Sequence, residues 1–312
     1  MSDLDLTPHD LSALVLDKIN VLGTSKAAEY FEVSEGSIRL WASRRNGPSL
    51  AAVQKCWDES LLCRSPEIWG GNGKENVHLL IPAYETVEPY FMVTLIKAMK
   101  TYGMDRIGVI PKTRTLIDEA RNDLADKFLL TKSEWCIFLD VDHILPCGST
   151  GLVRKMGLKT PDAKAGRNVI ERLMSHPKDK RIVGALYVDR RGGNKVQCET
   201  AFRSPQENQR LLELFNGKNQ SDALEETGWV GFGCVRIHRS VFEEMKAAAK
   251  PGGPLADIAP PAGREGEPYG YFGRNSKQRG EDVAVCRRAQ SIGIKVYVDH
   301  GALLGHLGRA VF

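Results

Sequence analysis

The ten residues Glu134-Trp135-Cys136-Ile137-Phe138-Leu139-Asp140-Val141-Asp142-His143 constrain this chain more than any other stretch. Five largely apolar residues, two of them aromatic, predict a buried strand. The run stops abruptly on Asp-Val-Asp. Two carboxylates at the mouth of an apolar strand do not serve packing, because a buried unpaired charge is costly. Residues two apart on a strand face the same way, so Asp140 and Asp142 converge if that geometry continues. His143 then points to the other face, as a loop residue rather than a ligand. Paired hard oxygens suit Mg²⁺ or Mn²⁺ and, through the ion, a diphosphate. The competing reading is an acidic turn after a strand.

From Val77 onward, apolar strands and helical segments alternate, which predicts an α/β fold with a largely parallel sheet over 77–312. Strands are expected at Val77–Ile81, Ile107–Ile110 and then the Asp140 strand, with helices at about Val87–Tyr102 and Leu116–Leu130. Later strands are expected at Lys180–Tyr187, Val196–Ala201, the glycine-rich Gly228–Ile237 and Ile294–Val298. Helices are expected at Ser240–Ala249 and from Gly280 to about Ser291, and Pro251–Gly280 reads as a long loop of the kind that often forms a lid. Ligands of such sheets gather at the carboxyl ends of strands, where Tyr84 and Asp142 both fall.

Residues 1–68 read as a separate all-α domain, with helices at Asp10–Ile19, Ser25–Phe31, Glu35–Arg45 and Ser49–Leu62, and 69–76 as a linker. Ser34 can cap the third helix. Ala27, Ala28, Val33, Ile38 and Trp41 are the small or apolar residues needed where two helices cross. The stretch resembles the helix-turn-helix of bacterial and phage regulators. That resemblance makes Glu35–Arg45 a recognition helix, with Ser37, Arg39, Arg44 and Arg45 facing base edges or phosphates. Protein docking is the alternative use of such a unit. Residues 1–72 hold 7 Lys/Arg against 10 Asp/Glu, a charge of −3, whereas 152–220 hold 15 against 7, or +8. The basic middle segment could face a polyanion or simply be a solvated surface.

Seven widely spaced cysteines without a C-x-x-C pair argue for reduced thiols in a cytoplasm, not a disulfide frame or zinc site. The acidic first ten residues lack the pattern of a signal peptide, and no apolar run approaches a membrane span.

Four separated motifs between Val77 and the end resemble, in their order, the GT-A nucleotide-sugar-dependent glycosyltransferases. The likeness is to the family 2-like enzymes of bacteriophages, some of which glycosylate modified bases in DNA. The resemblance implies that Pro82-Ala83-Tyr84-Glu85 cradles the nucleotide, although Glu85 stands where the family has Asn. It places Ala120-Arg121-Asn122 on the donor side, with Arg121 pairing a phosphate or a uracil edge; a surface helix arginine is the bland alternative. It assigns the metal–diphosphate to Asp140 and Asp142, and completes the metal site with His306 in a His-x-Gly setting. Asp142 is the expected direct ligand, with Asp140 as a second ligand or a partner of the donor ribose. His300 is the alternative to His306. An imidazole ligand tilts the site towards Mn²⁺ over Mg²⁺. Asp282, in Glu281-Asp282, becomes the base that deprotonates the acceptor hydroxyl, which implies inversion. Without the resemblance, the pair merely favours a helix N-terminus. Trp229, Gly231 and Gly233 are candidates for an acceptor floor, core packing being the alternative for Trp229.

The expected activity is thus transfer of a sugar from a UDP-sugar, UDP-glucose favoured, to a hydroxymethylpyrimidine in DNA by a cytoplasmic protein without a membrane anchor. The same chemistry on a glycan or protein, and a non-catalytic DNA-binding sensor of a nucleotide sugar, are the alternatives.

Overall fold

A computed structural model describes residues 19–42 except 21, residues 76–145 except 84–86, 88 and 114, residues 168–215 except 190–194, and residues 221–306 except 262–263, 265 and 274–279. The chain divides into two compact units, Met1–Trp69 and Gly70–Phe312. The expected helix at Ser49–Leu62, nearly all of Asp10–Ile19, and Arg44, Arg45, Tyr84 and Glu85 lie outside the described residues.

In the first unit, α1 (Thr24–Phe31) and α2 (Glu35–Ala42) are joined by a tight turn. Glu32 turns the chain in a left-handed conformation at φ 56°. Ser34 Oγ accepts the backbone N–H of Ser37 at 3.2 Å, so Ser34 is the N-cap. Ala27, Ala28, Phe31 and Ile38 are buried together with Ile19, and Val33 packs against them. Small residues on α1 let α2 approach closely. Arg39 is exposed but is drawn along its own helix to Glu35 at 3.0 Å.

The second unit is built on a seven-stranded mixed sheet. Its strands are β1 (Val77–Ala83), β2 (Ile107–Thr113), β3 (Trp135–Leu139), β5 (Ile182–Leu186), β6 (Leu224–Thr227), β7 (Cys234–His238) and β8 (Val296–Leu303), in the order β2-β1-β3-β7-β5-β8-β6. Five strands run in one direction; β6 and β7 run against them. A separate two-stranded ladder pairs β4 (His143–Ile144) with β9 (Gly305–His306). The central strands β1, β3 and β5 are buried along their whole length, as continuous apolar runs require.

Between the strands run α3 (Pro89–Tyr102), α4 (Ile117–Leu130), α5 (Val169–Met174), α6 (Glu199–Arg203), α7 (Pro205–Phe215), α8 (Arg239–Ala248) and α9 (Glu281–Ser291). Leu124, Ala125 and Phe128 of α4, Val241, Phe242 and Met245 of α8, and Val285 and Ala289 of α9 share one core with the sheet. Phe138 sits at its centre, 5.2–6.4 Å from the rings of Phe232, Phe242 and Phe272. Among the described residues, no helix is long and apolar enough to cross a membrane.

Several expected elements differ. Val196–Ala201 is not a strand: Val196 and Cys198 make isolated bridges, and the chain then turns into α6. Gly228–Ile237 is a strand only from Cys234, because its glycines sit where neighbouring side chains press against the backbone. The last strand continues to Leu303 past a bulge after Asp299. Far from standing free as a lid, the long loop is fastened to α4 up to Gly273. Asn122 Oδ1 accepts the Phe272 N–H, Asp126 accepts the Tyr269 N–H and the Tyr271 hydroxyl, and both Tyr271 and Phe272 are fully buried.

Candidate active site at the carboxyl end of the sheet

β3 ends at Leu139, and Val141-Asp142 turns the chain instead of extending it. The alternation of faces therefore stops there, and the two carboxylates separate. Asp140 is claimed by Arg121. Nη2 of that residue donates to both Asp140 oxygens, at 2.8 and 3.0 Å, and Nη1 donates to Glu281 Oε1 at 2.7 Å. The Arg121 side chain is 3% exposed. It is not a surface arginine; it ties the end of β3 to the start of α9. Pro82 and Ala83, at the buried end of β1, lie level with Asp140 and Val141 if the β1–β3 register is carried on.

Asp142 instead faces two imidazoles. His306 Nε2 lies 3.3 Å from Oδ2, and His143 Nδ1 lies 3.0 Å from Oδ1 without the alignment of a hydrogen bond. Burial works against ionisation of Asp142, but the two histidines outweigh it and hold the carboxyl well below its usual range. The expectation that His143 points away fails, because the turn at Asp142 reverses the chain into β4, whose register sets His143 opposite His306. The two rings stack at 4.6 Å and 8°. His306 Nδ1 lies 2.8 Å from the Val188 carbonyl, which can only accept, so that nitrogen carries the proton. One donor atom each from Asp142, His143 and His306 fall within 4.8 Å of one another. Both ring nitrogens of His143 are buried without a hydrogen-bond partner. Such orphaned groups fit a divalent cation at this position. His300 does not reach the cluster; its Nε2 is 2.9 Å from Glu225 Oε2.

The base candidate lies at the first turn of α9. Burial, then the neighbouring Glu281, push the Asp282 carboxyl up to about 6, against the Val283 N–H that it accepts at 2.7 Å and against Arg121. A carboxylate poised there can take a proton near neutral pH.

One residue escaped the sequence analysis. Tyr187, just past β5, sets its ring edge-on to His143 at 4.5 Å and His306 at 5.5 Å. Burial, with Asp140 and Asp282 close by, keeps its hydroxyl protonated. A Cβ at Gly231 would collide with that hydroxyl, and one at Gly233 would collide with His143. These two glycines therefore make room for protein side chains. Trp229 is half-buried against Phe202, 5.1 Å between rings. A signal for Tyr187 did exist: a tyrosine directly after a buried strand, at the end where the carboxylates gather.

No family model and no curated protein matches this sequence. Among solved structures, the crystal structure of A197 from STIV is similar over 74% of this chain and 85% of that one, at 14% identity and a TM-score of 0.40.

Proposed function

We propose that the chain is a metal-dependent glycosyltransferase that moves a sugar from a UDP-sugar to the hydroxyl of a modified DNA base, with inversion. The observation carrying this reading is that a cation-fitting cluster and a carboxyl with a raised pKa share one sheet end. Tyr187 touches both imidazoles and lies near Asp282. Breaking a sugar–diphosphate bond leaves negative charge on the departing phosphate; Asp142 and His306 would hold a divalent ion, which would supply the neutralising charge. Asp282 takes the proton of the acceptor hydroxyl as it attacks the anomeric carbon from the face opposite the diphosphate. Arg121 contributes by bracing Asp140 and Glu281, which fixes where Asp282 starts.

The DNA acceptor is supported by the capped helix pair α1–α2, with Ser37 and Arg39 on α2, and by the +8 charge of residues 152–220. An enzyme acting within a duplex would have to extrude the base to reach its hydroxyl. Labelled sugar supplied as UDP-glucose should move to hydroxymethylated DNA and not to plain DNA. Transfer to a glycan or protein but to neither DNA would overturn the acceptor. Binding of UDP with Mn²⁺, but neither transfer nor slow hydrolysis of the donor, would leave a nucleotide-sugar sensor.

A further inference from the structure

We propose that Asp142, His143 and His306 form a clasp closed by a divalent transition cation, with His143 as its third protein ligand, and that this cation fastens β9 to β4. The ladder itself is two residues long on each side, His143 opposite His306 and Ile144 opposite Gly305. Both strands are buried, and the Leu145 N–H donates to Thr94 Oγ1 and the Leu304 N–H to the Leu186 carbonyl. This packed ladder carries His306 to the mouth of the sheet, where a further fastening can be added.

The side chains say which. The Nδ1 proton of His306 goes to the Val188 carbonyl, which turns Nε2 towards the Asp142 carboxylate, 3.3 Å away. A cation shared between that nitrogen and the carboxylate fits this arrangement. His143 adds two more buried nitrogens without a hydrogen bond, 1% exposed and stacked on His306. One shared cation satisfies both stacked rings and the carboxylate together, since one donor atom from each lies within 4.8 Å of the others. The surroundings are arranged for this. The Val188 carbonyl fixes the His306 tautomer in the manner of an outer-shell partner, and the edge of Tyr187 limits rotation of both rings. Gly233 leaves the space that His143 occupies.

The donor set fixes the class of ion. Two imidazole nitrogens and one carboxylate oxygen suit Mn²⁺, Fe²⁺, Co²⁺ or Zn²⁺, whereas Mg²⁺ and Ca²⁺ require oxygen. Asp140 stands outside this group of three, and Arg121 Nη2 donates to both its oxygens. The aspartate pair is therefore divided, one member holding the ion and the other holding an arginine.

The clasp shares its site with the transferase reading, but it is measured on the full chain with neither donor nor acceptor present, so either can fail alone. Chelator-treated protein is titrated with Mn²⁺, following the loss of the free-ion signal by electron paramagnetic resonance, and its melting is followed with each cation. Mn²⁺, Co²⁺ and Zn²⁺ should raise the melting temperature, while Mg²⁺ and Ca²⁺ at equal concentration should not. Electron spin-echo spectra of bound Mn²⁺ should show two imidazole nitrogens. His143→Gln should leave one and weaken Mn²⁺ binding at least tenfold, whereas Asp140→Asn should stay within twofold of the parent. Equal stabilisation by Mg²⁺, a single imidazole in the parent protein, or a larger loss from Asp140→Asn than from His143→Gln would each overturn the clasp. The parent spectrum decides the question even if a variant fails to fold.

Discussion

Two clusters of charged and imidazole groups flank this sheet, and they are built to opposite rules. Around Asp299, on β8, every oxygen is spoken for. Arg172 donates to both, at 2.8 and 2.6 Å, His176 lies 2.7 Å from one, and the Gly301 N–H reaches the other at 2.8 Å. Asp299 is fully buried, and these partners hold its carboxyl below its usual range despite that burial. Beside Asp142 stand two imidazoles, and both ring nitrogens of one of them, His143, are orphaned. The Asp299 cluster is a fastening; the orphaned imidazole nitrogens at the other are what fit a cation.

The sharpest way to break this contrast is Asp282→Asn. Removing a general base should cut transfer roughly 10²–10⁴-fold while leaving binding of UDP-sugar intact, measured by steady-state kinetics beside calorimetry. In the parent enzyme, activity should climb as pH rises through about 6, where Asp282 loses its proton, and the residual activity of the variant should not. Near-normal turnover by the variant would place the base elsewhere.

Asp299→Ala tests the other cluster. It leaves buried Arg172 with only the exposed Asp222 as its charge partner, so urea unfolding should show a loss of about 3 kcal/mol with Mn²⁺ affinity unchanged in whatever remains folded. Gly231→Ala should cost about 1–3 kcal/mol by driving a methyl group into the Tyr187 hydroxyl, and it should weaken Mn²⁺ binding as the tyrosine moves off the imidazoles. The smallest effect runs the other way. Asp282 holds its proton more tightly when folded, at about 6, than at its ordinary 3.8. Its stabilising contribution is therefore present at low pH and lost as pH rises through 6. At pH 8, Asp282→Asn should melt later than the parent, by on the order of 1 kcal/mol given partial exposure. A gain confined to acid would contradict the raised pKa.

Much of the fold is readable where one signal dominates. The continuous apolar runs of β1, β3 and β5 announce buried strands, and the spacing in α4 and α9 announces helices. Asp282 at a helix start and Asp142 after a strand were legible from local patterning. What escaped depended on the third dimension. Leu224-Glu225-Glu226-Thr227 looks like a polar loop because β6 is an edge strand whose carboxylates meet Lys295, His300 and Arg210 across the surface. Val196–Ala201 has strand-like composition, but Cys198 passes directly into a one-turn helix. Strand alternation sent His143 outward, although the turn at Val141-Asp142 brings it back. Arg121 could not be seen as buried because both its partners are distant in sequence, 19 and 160 residues away.

The reversed direction of β7 has a further effect. Because it runs against β3 and β5, its entry rather than its exit lies at the mouth of the sheet, and the Gly233 carbonyl there accepts the Asp140 N–H at 3.0 Å. The helix that follows, α8, consequently starts at the opposite rim, beside Glu134. Were β7 reversed, the first turn of α8 would stand at the rim beside Asp142 and Tyr187. The inverted strand instead sets the backbone of Gly233 at that rim, against Tyr187 and His143.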